Sequence, residues 1–198
     1  MPGRHPAVGR SRFLRRPAVQ VFLIRHPRPL LAAGICYGRL DVAGEDSQGA
    51  AERLRPLLPA GIPVLSSPLQ RARRLAEALH PAPQIDARLA EIDFGEWEGR
   101  PWAEIDRSLL DAWAADVLDF APPGGESAAR LQARAVACAA DLRGDAVALV
   151  THGGVMRALL GHWLQLPVGE WSALKFEFAS VTLVELAAGR ATLRYANR

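Results

Sequence analysis

Hydrophobic and polar positions along the chain fall into a repeating order. A short apolar run is followed by a segment with a period of three to four, and then another apolar run begins. The run Gln20-Val21-Phe22-Leu23-Ile24 carries β-branched and aromatic residues and predicts a buried strand over about 19–25. Pro27 ends it, because proline has no N–H to give to a ladder. A helix is expected over about 47–57, with Ser47 as its cap and Pro56 ending or kinking it. Residues 62–66 read as a second strand. Ser67-Pro68 then opens a helix to about Leu79, with proline in its first position. A short extended piece follows at 85–89, and helical spacing returns over 101–118 and 126–142. Residues 146–151 are apolar almost throughout, the pattern of a strand covered on both faces. The next helix carries Met156, Leu159, Leu160, Trp163 and Leu164 on one face. Three short strands are expected near 174–178, 181–186 and 191–195, the last two joined at Gly189. Strands alternating with helices define an α/β class with a mainly parallel sheet.

Two stretches break the rhythm. The connection 27–46 is long for a compact domain, and loops of that length tend to be functional. The piece 92–125 departs from the core, and as an excursion it could cover a site. No internal repeat or second domain is visible, so 19–198 is read as one domain, an ordinary size for a single core.

Charge changes the picture at the N-terminus only. The formal charge is +3, yet residues 1–18 hold Arg4, Arg10, Arg12, Arg15 and Arg16 and no acid, leaving −2 for the rest. That tail is expected to be disordered. It either contacts acidic partners or has no role, and the body is not expected to bind nucleic acid. Cys36 and Cys138 have no metal-ligand spacing and read as two free thiols of a reducing compartment. No run approaches the ~20 apolar residues that span a bilayer, and the tail lacks the apolar core of a secretory signal. A cytoplasmic protein without membrane contact is expected, and a homodimer is compatible with the chain.

Candidate chemistry sits where apolar runs stop. The first strand ends Ile24-Arg25-His26 and the late one ends Val150-Thr151-His152-Gly153-Gly154. A histidine that merely caps a strand end would give the pattern at His26, and a helix-start histidine the one at His152. If the two strands are neighbours, however, the two imidazoles face each other at the carboxyl edge of the sheet, where open α/β sheets bind ligands. A helix start after His152 offers free N–H groups to an anion, and the glycines allow close approach. Arg71, in the first turn after Ser66-Ser67-Pro68-Leu69-Gln70, supplies a planar fork for phosphate oxygens. Arg73 and Arg74 read as solvated. Among the acids of Glu91-Ile92-Asp93-Phe94-Gly95-Glu96-Trp97-Glu98, Glu91 is best placed to point inward.

Taken in order, these segments, together with Gly124-Gly125-Glu126-Ser127, resemble the motifs of the histidine phosphatase superfamily, the phosphoglycerate mutase-like family. The likeness covers about 19–165. Ile35-Cys36-Tyr37-Gly38-Arg39-Leu40-Asp41 is most similar to the α-ribazole phosphatase branch. The resemblance implies a three-layer α/β/α sandwich and a metal-independent phosphomonoester hydrolase needing no cofactor. Its partner would be a small phosphorylated metabolite, α-ribazole 5′-phosphate among the candidates. It makes His26 the nucleophile, Glu91 the proton donor, and Arg25, Arg71 and His152 the phosphate clamp, with further contacts at Gly153, Arg28 and Arg39. Residue types alone do not divide the roles of the two histidines. A mutase returning the phosphoryl group to a second hydroxyl, and a silent phosphate-binding regulator, are the alternatives. Pro27-Arg28-Pro29 stand where the family has glycine, an acid and threonine, and Arg28 is expected to add a cation at the mouth.

Overall fold

The computed structural model describes residues 18–198, so the expectations about the basic tail lie outside the described residues. Six strands form one sheet: β1 (Val19–Arg25), β2 (Val64–Ser66), β3 (Gln84–Ile85), β4 (Ala146–Thr151), β5 (Val181–Ala187) and β6 (Arg190–Tyr195). Their order is β3-β2-β4-β1-β5-β6. The four at the β3 side run parallel, while β5 pairs antiparallel with β1 and β6 antiparallel with β5. The sheet is therefore mixed but mostly parallel. In the β1–β4 ladder Arg25 stands opposite Thr151, so the two strand ends are level.

The helices are α1 (Ser47–Leu54), α2 (Gln70–Leu79), α3 (Arg107–Ala115), α4 (Ala128–Ala140), α5 (Gly153–Trp163) and α6 (Val168–Trp171). Alternate strand residues point to opposite faces, and both faces are apolar here. Val21, Leu23, Val147 and Leu149 pack with Leu131 and Ala135 of α4, with Met156, Leu159 and Leu160 of α5, and with Trp171. Phe22, Ile24, Ala148 and Val150 pack with Leu54 of α1 and Leu75 of α2. The result is three layers with a core on each side of the sheet. The excursion adds a third cluster, in which Trp97 packs with Cys36 and Ile105 against Phe94, Trp102, Trp113 and Phe120. Cys36 and Cys138 are free, buried in different clusters, and burial pushes both thiols up to about 12. No helix among the described residues is long and apolar enough to cross a membrane.

Several local expectations need correction. The first helix is capped by Asp46 rather than Ser47, its carboxylate accepting from Gly49 N at 2.8 Å. The second begins at Gln70, leaving Pro68 outside it, because Ser67 Oγ accepts from Leu69 N at 3.2 Å and holds that residue extended. The extended piece after β3 is a 3-10 turn, Ala87–Leu89, which Asp86 caps. Helical structure within 101–118 is confined to a turn at Trp102–Glu104 and to α3. Residues 174–178 are not a strand. The carbonyls of Leu174, Lys175, Phe176 and Glu177 accept from side chains. The last hairpin turns at Ala188 (φ 50°) and Gly189 (φ 76°), both left-handed as a two-residue turn of this type requires.

Candidate active site

The level ends of β1 and β4 bring His26 and His152 together, with ring centroids 4.9 Å apart and planes tilted by 55°. Backbone bonds fix the first histidine: His26 N donates to Thr151 O (3.1 Å) and Ala179 N donates to His26 O (3.2 Å). His26 Nδ1 lies 2.6 Å from Pro27 O. A carbonyl oxygen only accepts, so Nδ1 carries the proton and Nε2 holds the free lone pair. Arg71 Nε donates to that Nε2 at 3.4 Å. Burial, and then the guanidinium of Arg71, lower the His26 pKa to about 3, against a smaller opposing effect of the Pro27 hydrogen bond. His152 is fully buried and is also pushed well below the ordinary value, first by burial and then by His26. Its Nε2 lies 2.7 Å from Ser67 Oγ. Its Nδ1 has no hydrogen-bond partner.

Arg71 is buried, and its fork is aimed from two sides. Nη1 donates to Leu40 O (2.9 Å) and Nη2 to Gly38 O (2.6 Å). Asp41 of the same loop accepts from Gln70 N at 2.7 Å and so caps α2 where no residue of the helix does. The 35–41 segment is therefore the holder of Arg71. Gly38 has no room for a side chain, since a Cβ would overlap Ile92 O. Arg25 Nη1 donates to Phe176 O at 2.5 Å, and its Cζ stands 3.7 Å from the centre of the Phe178 ring. Its Nε is buried without a partner. Desolvation lowers the pKa of both arginines, which still remain cations.

Glu91 reaches the same edge from the loop after β3. Its Oε2 accepts from Gly154 N at 3.0 Å and its Oε1 from Ile92 N at 3.0 Å. A Cβ at position 154 would overlap that carboxyl, so glycine there lets the acid seat on the first turn of α5. Gly153 is buried beside Arg25. Two orphaned buried nitrogens, a helix N-terminus and two guanidiniums thus lie together at the carboxyl ends of β1 and β4, groups of the kind that bind a tetrahedral oxyanion.

The outer residues divide. Arg28 is exposed, 5.0 Å from the Phe178 ring, and lines a cleft of about 300 Å³ with Glu45, Asp46 and Arg53. Arg39 is committed to acids, 3.7 Å from Asp93 and 3.5 Å from Glu126. Arg73 and Arg74 are exposed. Trp97 is occupied in the aromatic cluster with Cys36. Glu98 accepts from Arg39 N (2.8 Å), Phe94 N (2.9 Å) and Leu40 N, so it ties the excursion to the loop that holds Arg71.

Sequence reasoning passed over Arg157. It lies four residues after Gly153, and helical side chains lean towards the N-terminus. Its Nη1 would be 3.3 Å from a Cβ at Gly153, while its Nε donates to Leu174 O at 3.1 Å. The i, i+4 spacing was a signal available in the sequence.

Comparison with known proteins decides the family. The model of the histidine phosphatase superfamily (branch 1) matches residues 21–198. The chain belongs to that superfamily. A glucosyl-3-phosphoglycerate phosphatase of Mycobacterium tuberculosis (strain ATCC 25618 / H37Rv) is 35% identical over 130 residues, which are 56% of this chain and 58% of that relative's length. The solved structure of a mycobacterial glucosyl-3-phosphoglycerate phosphatase superposes with a TM-score of 0.78 at 30% identity, covering 91% of this chain and 99% of that one. An α-ribazole phosphatase from Shigella flexneri shares the fold, with a TM-score of 0.80 at 24% identity over 91% and 96% of the two chains. The chain has the motif residues of that superfamily at the carboxyl edge of the parallel strands.

Proposed function

We propose that this histidine phosphatase hydrolyses a phosphate monoester through a phosphohistidine formed on His26. The observation that carries the reading is the His26 ring itself. It is neutral, with Nδ1 bonded to Pro27 O and an unprotonated Nε2 turned towards Arg71 and His152. A phosphate monoester repels nucleophiles by its charge and holds a poor leaving group. Arg25, Arg71, His152 and the N–H of Gly153 address the charge by gathering the equatorial oxygens, a preorganised clamp of the kind that supplies the largest catalytic contribution. His26 Nε2 attacks phosphorus in line and the ester P–O bond breaks. Glu91 is the group placed to pass a proton to the departing oxygen. As a carboxylate it then accepts a proton from the water that cleaves the P–N bond, releasing inorganic phosphate and the free imidazole. Every charge in this scheme is supplied by the chain, so no metal or cofactor enters it.

The substrate we propose is a small metabolite whose leaving group carries a second anionic or polar group. Arg28 at the outer cleft and Arg157 beside Gly153 support this, and the relatives named for glucosyl-3-phosphoglycerate point the same way, since a phosphoglycerate carries a carboxylate. α-Ribazole 5′-phosphate has weaker support. The 35–41 segment that suggested it holds Arg71 and caps α2, which is a task independent of the leaving group.

The test is phosphate release from glucosyl-3-phosphoglycerate, 3-phosphoglycerate, α-ribazole 5′-phosphate and sugar phosphates, with His26→Ala alongside. The wild type should release phosphate and form an acid-labile phosphoenzyme, and His26→Ala should do neither while keeping its circular dichroism spectrum. Substantial turnover by His26→Ala would remove this residue from the mechanism. Isomer formation without phosphate release would make the protein a mutase, and phosphate binding without a phosphoenzyme would make it a regulator.

A further inference from the structure

Glu91 is held in place by a side chain more than forty residues further along. Arg134, near the middle of α4, extends its guanidinium under the 88–93 loop. Nη1 donates to Arg88 O (2.8 Å) and Ala90 O (2.5 Å), and Nη2 to Glu91 O (2.9 Å). Nε donates to Glu126 Oε2 at 3.1 Å, and Nη2 also reaches Glu126 Oε1. Glu126 grips the far end of the loop, accepting from Asp93 N (3.1 Å) and donating its own N–H to Asp93 O (2.9 Å). Thr151 Oγ1 takes the remaining carbonyl, Leu89 O, at 2.8 Å. Each carbonyl from 88 to 91 is thus bonded by a side chain, not by a neighbouring strand.

Loop carbonyls shut away from water need donors. A partly buried ion pair nevertheless adds little where only stability is wanted, because desolvating the two charges offsets much of their attraction. What a planar guanidinium braced by a carboxylate gives is direction: its N–H groups form a rigid fork. Direction matters most for a proton donor, which must come within hydrogen-bond reach of the leaving oxygen. We infer that Arg134, braced by Glu126, is a positioning residue for Glu91, fixing the backbone from which that carboxyl reaches the first turn of α5. The inference rests on the reading of Glu91 as the proton donor.

The experiment compares p-nitrophenyl phosphate, whose leaving group needs little protonation, with glycerol phosphate, whose alkoxide needs a proton. Full-length Arg134→Lys, Glu126→Gln and Glu91→Gln are assayed on both, with kcat and KM separated. Arg134→Lys and Glu126→Gln should lower kcat on glycerol phosphate about tenfold or more, with much smaller loss on p-nitrophenyl phosphate and little change in KM. Combining either with Glu91→Gln should add no further selectivity between the two esters. If Arg134→Lys does not fold, Glu126→Gln, which keeps the shape of the side chain, decides. Equal losses on both esters, or a lowered melting temperature with unchanged kinetics, would reduce the brace to scaffolding and overturn the inference. A selective Glu91→Gln beside unselective brace variants would sink the inference alone. Equal losses for Glu91→Gln would remove its role as donor, and the inference with it.

Discussion

His26 illustrates what burial does to a single residue. The exposed imidazole of an unfolded chain takes up a proton near pH 6.5, whereas in the fold burial and Arg71 lower that value to about 3. Between these two pH values the unfolded chain binds a proton that the folded one refuses. The stability that His26 contributes is therefore complete above pH 6.5, is lost as pH falls, and levels off near pH 3. The slope belonging to one such histidine is about 1.4 kcal/mol per pH unit. Urea unfolding at pH 6, 5 and 4 should show His26→Asn less acid-sensitive than the wild type by about that slope. Parallel curves would mean that His26 is not held neutral. If His26 is the nucleophile proposed above, the same burial has a kinetic consequence: its ring is unprotonated well below pH 6, so an acid limb near pH 6 belongs to the phosphate ester rather than to His26.

One segment, 174–180, acts as an element although it is neither helix nor strand. Leu174 O accepts from Arg157, Phe176 O accepts from Arg25, and the Phe178 ring lies against the Arg25 guanidinium. Asn197 pins this strap, accepting from Glu177 N at 2.8 Å and donating to Lys175 O at 2.9 Å. The backbone of Asn197 is left-handed (φ 58°), so Asn197→Gly removes the amide without adding strain. That variant should weaken competitive inhibition by inorganic phosphate several-fold and cost about 1–2 kcal/mol of stability. Unchanged inhibition would show that the arginines keep their aim without the strap. The strap also marks how far sequence could be read at this scale. β1, β4 and α5 were legible because their apolar patterns are local and long. Residues 174–178 read as a strand because their alternation is real, but side chains, those of Arg157, Asn197, Arg25 and Ser180, took carbonyls that a neighbouring strand would have used. The start of α2 was misplaced for a related reason, since Asp41, remote in sequence, supplies its cap.

At the scale of the whole molecule, the site lies where strand ends and first helical turns meet, which is why its central residues could be named from sequence. Arg25 ends β1, His26 and His152 directly follow β1 and β4, Arg71 lies in the first turn of α2 after β2, Glu91 comes just after the 3-10 turn Ala87–Leu89, and the adjacency of β1 and β4 does the rest. Arg134 and Phe178 were not legible because tertiary contacts alone give them their tasks, whereas Arg157 was signalled by its i, i+4 spacing from Gly153. All these residues belong to 18–198, and the match to the superfamily begins at Val21. The five arginines of the first eighteen residues precede that match and lie outside the described residues. The field of exposed charges is screened over roughly 8–10 Å at physiological ionic strength. β1 has Val19 at one end and His26 just past the other, about 20 Å away at the usual strand rise. Removing residues 1–17 should accordingly leave kcat and KM for a small phosphate monoester within about twofold at 0.15 M salt. A truncated chain that keeps its melting temperature but loses tenfold in KM would show the tail reaching the mouth of the site. Loss that appears only at low salt would instead assign the tail to long-range attraction of anionic substrates, a rate effect that ionic strength removes.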